Sequence, residues 1–280
     1  MAAEIIEGLS HAQYDKIGAE HSGVLRKMLI SPLAYLRAKQ LEAAGIDEDR
    51  DVLRLGRAVH TAVLEPSLFA RQYICWSGGK RAGAAWNAYV ADAERLGQTI
   101  LKEDQIDLAV KIAKAVRGHP IARPILDRDG RAEVAIVWDH PRTGVRIKVR
   151  LDWLTVGVLT DLKSCRDPAP HRFATTAAQL GYHCQLALYA DACAAAGLGA
   201  VEVKIIAVQN TEPFDVVVYA LDEDILSIGR NEYERALDLL VQCRESKQWL
   251  GQAMTGEVPL KLPAWARPEE DSITIDGEVM

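Results

Sequence analysis

Several patterns typical of secreted, zinc-binding and membrane proteins are missing from this sequence. Its five cysteines are odd in number and include no C-x-x-C pair, which argues against a disulfide framework and against a zinc knuckle. No apolar run reaches the roughly 18 residues that a membrane span needs. The start, "MAAEIIEGLSHAQYDK", has neither a basic region nor a long apolar stretch. We therefore expect a cytoplasmic protein with reduced thiols and no membrane partner.

An excess of positive charge is also missing. The formal net charge is -6 and the isoelectric point is near 5.7, so the chain as a whole does not attract nucleic acid. Any DNA-binding surface must therefore be a local patch. The 280 residues, 49% of them hydrophobic, are enough for a globular protein with a sizeable core. They contain no internal repeat and no low-complexity segment.

Helical periodicity dominates the chain up to about residue 126. Ser22 is the predicted cap of a helix over "GVLRKMLI", and Ser31 with Pro32 begins a second helix that Gly45 stops. Two later helices are predicted over "AAWNAYVADAERLG" and "KEDQIDLAVKIAKAVRGHP", the second with acids at its start and bases toward its end. These helices make up the predicted helical N-terminal region.

A further helix between them is predicted from about residue 51 to 64, because Pro66 must end it. Helical spacing predicts an inner face formed by Leu53, Gly56, His60 and Val63. The glycine-rich loop "SGGKRAG" follows and carries Lys80 and Arg81. These two cations are candidates for contacts with DNA phosphates, and the alternative is that they are ordinary exposed charges.

The hydrophobic period changes from helical to alternating after residue 126. "AEVAIVWD", "VRIKVRLDWL" and "VGVLTDLKS" are separated by the turns "HPRTG" and "TVG", a pattern that predicts a three-stranded antiparallel meander. A helix over about 170–196, strands over "VEVKIIAVQ" and "FDVVVYAL", and a helix over about 222–249 follow. The predicted fold class is α/β (α+β), with the core order α-β-β-β-α-β.

We predict one domain over about 20–250, with a helical part over 20–126 and an α/β core over 127–250. A lead segment over 1–20 precedes it. The last residues, 251–280, are rich in proline and acids, which predicts an irregular tail.

Asp152, Asp161 and Lys163 are charged residues within the apolar run of the hairpin "KVRLDWLTVGVLTDLKS". Asp161 and Lys163 are two apart on a strand and share a face, and a turn at Val156 and Gly157 places Asp152 opposite Asp161. Carboxylates this close repel each other unless a divalent cation lies between them, and oxygen ligands suit Mg²⁺ or Mn²⁺. Lys163 could then activate a water for attack on a phosphodiester. The alternative is a buried ion-pair network without catalysis.

The strand before Asp152 carries a basic stripe. Arg146, Lys148, Arg150 and Asp152 share one face of this strand, and such a stripe leading to a metal site suits a phosphate backbone. The alternative is a solvated strand face with surface charges.

Four separated motifs, "GRAVH", "RLD", "DLK" and "QLALY", follow one another in the chain. Together they resemble the PD-(D/E)xK nuclease superfamily in its RecB-like branch. "SGVLRKMLISPLAYL", "LRLGRAVHTAVLEPSLF", "KRAG", "FATTAAQLGYHCQLALYADA" and "LPAWA" are most similar to the C-terminal nuclease domain of phage and prophage exonuclease VIII (RecE). The resemblance covers about residues 20–265 and implies a central mixed sheet flanked by helices.

The resemblance also implies a role for individual residues. The implied metal ligands are His60, Asp152, Asp161, the Leu162 carbonyl and, as a lesser member, Glu133. The implied catalytic residues are Lys163, Asp161 and Asp152, with Gln185 and Tyr189 holding the site or the substrate phosphate. His183, Cys184 and Cys193 fit no zinc pattern, and the spaced cysteines of relatives with an iron-sulfur cluster are missing, so we expect no cluster.

By resemblance, the chain is a Mg²⁺-dependent exodeoxyribonuclease, with Mn²⁺ as a substitute. It would degrade linear double-stranded DNA from 5′ to 3′ in the cytoplasm of a bacterium or a phage-infected host. Its partners would be DNA ends and a single-strand annealing recombinase, and it would form a ring-shaped trimer or tetramer. Two alternatives stay open: a structure-specific endonuclease on the same fold, and a catalytically silent DNA-binding recombination scaffold.

Overall fold

The computed structural model describes residues 3–45, 50–252, 256–263 and 266. Helices precede, interrupt and follow a central sheet. The helices are α1 (His11–Asp15), α2 (Ser22–Ile30), α3 (Pro32–Ala43), α4 (Arg50–Leu64), α5 (Pro66–Gln72), α6 (Ala84–Arg95), α7 (Glu103–Gly118), α8 (Ala122–Leu126), α9 (Pro170–Leu180), α10 (Tyr182–Ala195) and α11 (Glu223–Ser246). None of these helices is long and apolar enough to cross a membrane.

The main sheet has six strands in the order β1-β4-β5-β6-β7-β8. They are β1 (Glu4–Ile6), β4 (Gly130–Asp139), β5 (Arg146–Thr155), β6 (Val158–Cys165), β7 (Glu202–Gln209) and β8 (Val216–Leu221). The sheet is mixed, because β6 and β7 run parallel whereas the other neighbours are antiparallel. A small second sheet pairs β2 (Tyr73–Cys75) in parallel with β3 (Thr99–Leu101). The predicted mixed sheet and meander are confirmed.

The meander places three acids side by side on adjacent strands. Thr155 pairs with Val158 and Trp153 with Thr160, so the register predicted from the turn is confirmed and Asp152 and Asp161 follow as the next facing positions. On the other side of β5, the pairs that flank Glu133 bring it opposite Asp152 in the same way. The acids therefore form a row across β4, β5 and β6.

The sheet is covered by helices on both faces. One cluster packs α2, α10 and α11 against the strands, through buried side chains such as Leu25, Leu188, Leu237, Ile147 and Leu159. A second cluster packs α4 and α7 against the other face, through residues such as Val59, Val63, Ile112, Leu162 and Ile206. Burial of this apolar surface stabilises both layers. Helices α4 and α10 consequently reach the row of acids from opposite sides.

Two predictions about the N-terminal helices are wrong. Ser22 is the first residue of α2 and His21 occupies the cap position without a side-chain hydrogen bond. Leu53 is 45% exposed, because the first turns of α4 border a cavity and the buried face begins only at Ala58. The cap predicted at Ser31 is confirmed, since its side chain accepts a hydrogen bond from the Ala34 N–H at 3.1 Å.

The single helix predicted over 170–196 is two helices. Gly181 separates α9 from α10 with a φ of 68°, a conformation that favours glycine, and a Cβ there would lie 2.6 Å from Arg26 Nε. The last helix ends at Ser246, three residues before the predicted end. Much of the predicted tail after residue 250 lies outside the described residues, and the division into segments stays a prediction.

Candidate active site

His60, Glu133 and Asp152 form a set with the geometry of a metal site. Among the described residues, one ligand atom from each of the three lies within 4.8 Å of the others. His60 reaches the sheet from α4, and its Nδ1 lies 3.5 Å from Asp152 Oδ2. Two carboxylates and an imidazole are a donor set that fits a divalent cation. The structure thus brings together three of the residues predicted as ligands.

Asp152 and His60 stabilise each other's charged forms. Burial alone would raise the pKa of Asp152, but the positive charge of His60, their hydrogen bond and the charge of Lys163 lower it. Burial lowers the pKa of His60, and the opposing charge of Asp152 raises it to about 9. Asp152 Oδ2 also accepts a hydrogen bond from the Leu162 N–H at 2.7 Å. The Leu162 carbonyl as a metal ligand stays a prediction.

Glu133 takes a larger part in the site than the sequence indicated. Its φ of 55° is a conformation that costs about 1–3 kcal/mol for a side chain of this kind, and such strain is typical of functional positions. Arg150 Nε lies 2.5 Å from Glu133 Oε2. Burial, together with the charge of Asp152, raises the pKa of Glu133 against the opposing effect of Arg150. The strand therefore turns out of its regular path to present this carboxylate.

Asp161 is a buried carboxylate with few partners. Its side chain is 1% exposed, and Lys163 Nζ lies 2.6 Å from Oδ2, yet neither oxygen makes a hydrogen bond of acceptable geometry with any described residue. Burial raises the pKa of Asp161 to about 6, with Lys163 opposing the shift and Asp152 adding to it. Buried polar atoms in native proteins normally have a partner. Asp161 is not part of the 4.8 Å set, but its Oδ1, which has no partner among the described residues, would fit a cation.

Lys163 is held in place by the helix that follows the hairpin. Its Nζ donates to Gln185 Oε1 at 3.3 Å, and Gln185 Nε2 donates to the Tyr189 hydroxyl at 2.8 Å. The ammonium also lies 4.7 Å from the centre of the Tyr182 ring, a cation-π distance. Gln185 thus contacts Lys163 directly, and Tyr189 contacts Gln185 from the same face of α10, as the spacing of four residues indicated. Tyr182 was missed, although it lies on the same face of α10, three residues before Gln185.

Residues 3–20, which we call the N-terminal segment, cover much of the predicted basic stripe. Lys148 is 5% exposed, and its ammonium donates to the carbonyls of Tyr14 at 2.9 Å, Asp15 at 3.2 Å and Ile17 at 3.0 Å. Arg150 Nη2 donates to the Leu9 carbonyl at 3.2 Å. In this structure Lys148 holds the N-terminal segment on β5, a placement that sequence analysis missed because β1 and α1 are too short to show periodicity.

Arg146, at the start of the stripe, remains accessible. Its side chain is 46% exposed and lies 3.7 Å from Asp139 Oδ1. Lys80 and Arg81 are exposed in the loop between β2 and α6, where Arg81 Nη2 donates to the Leu101 carbonyl at 2.9 Å. The DNA-binding roles of these residues stay predictions.

A cavity of about 1740 Å³ opens beside Glu133 and Arg150. The N-terminal segment forms one wall and contributes His11 and Tyr14. Burial and the nearby charges of Arg150 and Arg57 lower the pKa of His11 to about 3, so this imidazole is neutral. Neither Lys163 nor Asp161 lines the cavity, which therefore leads to the Glu133 side of the site. No sequence pattern pointed to His11.

Comparisons with known proteins agree with this geometry. None of the curated protein sequences is similar enough to count as a relative. One similar solved structure is a crystal structure from Eubacterium rectale described as "Putative exonuclease", with 13% sequence identity and a TM-score of 0.61 over 92% of this chain and 96% of that one. At this identity the likeness shows the fold.

A family described as "PDDEXK-like domain of unknown function" matches residues 22–258. Such a domain supports a nuclease that acts on DNA, and the set of possible ligands supports dependence on a divalent metal. Because the match spans most of the sequence, the chain belongs to this family of PDDEXK-like, or PD-(D/E)xK, domains.

Proposed function

We propose that this protein is a Mg²⁺-dependent exodeoxyribonuclease that degrades linear double-stranded DNA, with Mn²⁺ as a substitute metal. The observation that carries the proposal is the row of Glu133, Asp152 and Asp161 across three strands, with Lys163 2.6 Å from Asp161. A carboxylate row beside an ammonium supplies both parts of a hydrolytic site, the ligands for a cation and a group that orients water.

Five groups would hold the cation. They are the side chains of His60, Glu133, Asp152 and Asp161, and the carbonyl of Leu162. A bound divalent cation would stabilise the negative charge that develops on the phosphoryl oxygens and on the leaving 3′ oxygen. Glu133 stays aimed at the site because Arg150 holds its carboxylate. Positioning of this kind is a large part of catalysis at phosphate centres.

Lys163 orients the attacking water. Its ammonium lies between Asp161 and the Gln185 amide, so its remaining donor directions are limited. Gln185 is fixed in turn by Tyr189, and the ring of Tyr182 covers another side of the ammonium. Attack of the water breaks the bond between phosphorus and the 3′ oxygen and leaves a 5′ phosphate and a 3′ hydroxyl.

Action at DNA ends rests on the likeness to exonucleases. The Eubacterium rectale structure is described as a "Putative exonuclease", and the RecE-like motifs favour degradation from 5′ to 3′ with a 3′ single-stranded overhang as product. The overhang would pass to a single-strand annealing recombinase. A ring-shaped trimer or tetramer would reconcile the acidic isoelectric point with DNA binding, because Arg146 and other cations could line its channel.

One assay tests the proposal and separates it from its alternatives. Linear duplex DNA labelled at either the 5′ or the 3′ end, and a closed circle, are incubated with Mg²⁺ or with EDTA. We expect Mg²⁺-dependent release of nucleotides from linear DNA and an intact circle. Cleavage of the circle would identify an endonuclease, and binding without release of nucleotides would identify a silent scaffold.

A matched pair of variants ties the activity to the row. Asp161→Asn keeps the shape of the side chain and removes its charge, so we expect it to abolish release. Asp139→Asn is the control, because Asp139 lies at the end of β4 in the same sheet but outside the row, and this variant should retain release.

A further inference from the structure

Three aromatic rings form a cluster at the surface, outside the acids of the site. Trp76 follows β2, and Trp86 and Tyr89 lie three residues apart on α6. The ring centres are 5.7 Å apart for Trp76 and Trp86, 4.9 Å for Trp76 and Tyr89, and 6.4 Å for Trp86 and Tyr89. All three rings are half-buried. We call residues 76–91, which run from the end of β2 through a loop into α6 and contain the three rings, the aromatic loop.

The aromatic loop is basic within an acidic protein. Its sequence, "WSGGKRAGAAWNAYVA", contains no Asp or Glu but contains Lys80 and Arg81, whereas the chain as a whole carries a net charge of -6. Both cations are exposed, and the Arg81 guanidinium lies 5.4 Å from the centre of the Trp86 ring. Partly exposed aromatic rings next to cations are the composition of surfaces that bind single-stranded nucleic acid.

The packing of the loop differs from that of a hydrophobic core. Gly78 lies so close to the Trp76 indole that a Cβ would fall 2.2 Å from the ring, so the loop presses against this ring. Trp76 Nε1 is buried and has no hydrogen-bond partner among the described residues. Because buried polar atoms in native proteins normally have a partner, this donor is an exception within the cluster.

The aromatic loop follows a strand that contacts the helix of His60. The Tyr73 hydroxyl at the start of β2 lies 3.4 Å from Thr61 Oγ1, and Thr61 is the neighbour of His60 on α4. Trp76 comes three residues after Tyr73, directly after the end of β2.

We propose that the aromatic loop binds the unpaired bases of a DNA strand at the end of the duplex. The bases stack on Trp86 and Tyr89, while Lys80 and Arg81 contact the phosphates. This inference rests on the proposed nuclease function and narrows its substrate: DNA ends with unpaired bases bind more tightly than blunt ends. Stacking tolerates any sequence, because every base has an aromatic face.

Binding can be measured without cleavage by keeping the full-length protein in EDTA. Tryptophan fluorescence is titrated with an oligothymidylate of about 12 nucleotides, a length within the site sizes of such surfaces, and with a blunt duplex of the same length. We expect the oligothymidylate to quench the fluorescence and to bind several times more tightly than the duplex. No quenching, or equal binding of both, would overturn the inference.

Variants of the aromatic loop show which side chains bind the oligothymidylate. Trp86→Ala should weaken oligothymidylate binding about fivefold or more, whereas Trp86→Phe keeps an aromatic face and should retain most of it. The double variant Lys80→Ala with Arg81→Ala should reduce the salt dependence of oligothymidylate binding. The matched control is Arg95→Ala, which removes an exposed cation at the end of α6 and should leave the salt dependence unchanged. Thermal unfolding confirms that each variant is folded.

Two further outcomes would count against the inference. If folded Trp86→Ala binds oligothymidylate as tightly as the unmodified protein, stacking is refuted. If the loop variants lose binding to an oligoglutamate peptide but keep binding to oligothymidylate, the loop binds an acidic protein partner instead. Neither result touches the proposed function, because Mg²⁺-dependent release of nucleotides and its loss in Asp161→Asn are measured separately.

Discussion

The role of Lys148 distinguishes two interpretations of the basic stripe, a DNA-binding surface and a structural contact within the protein. The sequence pattern assigns its ammonium to DNA, whereas the structure buries it to 5% exposure and gives it three backbone carbonyls of the N-terminal segment as acceptors. Replacement by methionine keeps most of the volume of the side chain and removes every donor. The expected consequence is a loss of stability and not a selective loss of DNA binding.

The magnitude follows from the hydrogen bonds. A hydrogen bond from a charged donor contributes about 1.5–3 kcal/mol, but the three bonds share one ammonium and water can reach part of the released segment, so their contributions do not add. We expect Lys148→Met to lower the free energy of unfolding by about 2–4 kcal/mol. For a chain of this size, that corresponds to a fall in Tm of about 5–10 °C.

The same strand offers a matched control. Arg146 occupies the same face of β5, but its side chain is 46% exposed, so Arg146→Met should change the free energy of unfolding by less than about 0.5 kcal/mol. Urea unfolding measures both variants. Limited trypsin digestion after exposed Lys16 reports release of the N-terminal segment, and cleavage there should accelerate in Lys148→Met only.

One result would refute this reasoning. If Lys148→Met unfolds at the same urea concentration as the unmodified protein and instead weakens DNA binding with a smaller salt slope, its ammonium contacts phosphate in solution. The predicted stripe would then be correct, and the N-terminal segment would not be held as the structure shows.

Three further predictions concern the site. Mg²⁺ at a hundredfold excess over its Kd should stabilise the protein by about 2.7 kcal/mol, and calorimetry should show that Glu133→Gln loses most of this effect. Lys163→Ala should abolish nucleotide release in the end-labelled assay while circular dichroism shows an intact fold; full activity would remove Lys163 from the mechanism. Gln185→Ala should lower kcat about tenfold with little change in KM, because Gln185 acts through Lys163; an unchanged kcat would contradict that role.

The hairpin of β5 and β6 shows what local sequence determines. Alternation of apolar residues over ten positions sets each strand, and the turn at Val156 and Gly157 sets the register. That register makes Asp152 and Asp161 the next facing positions after the observed pair of Trp153 and Thr160. Lys163 shares the face of Asp161, and its Nζ lies 2.6 Å from Asp161 Oδ2. The spacing of Gln185 and Tyr189 is equally local, because residues four apart share a helix face.

Other parts of the site depend on contacts between distant residues. Lys148 and the Tyr14 carbonyl are separated by 134 positions, and β1 and α1 are short elements whose placement comes from the acceptors that they offer to β5. The family resemblance named Glu133 as a lesser ligand, but its left-handed backbone conformation, with a φ of 55°, was not predicted from the residue pattern.

The sequence by itself therefore determined the strands and the register of the hairpin, because these follow from a period of two residues and from the turn. The site residues were predicted from the motifs that resemble the family. Only the tertiary structure decided which basic side chains of β5 are buried and which are accessible. Their burial depends on which distant segment packs on each face of the sheet. The free energy of that burial comes from contacts between residues far apart in the chain, which the local hydrophobic period does not predict.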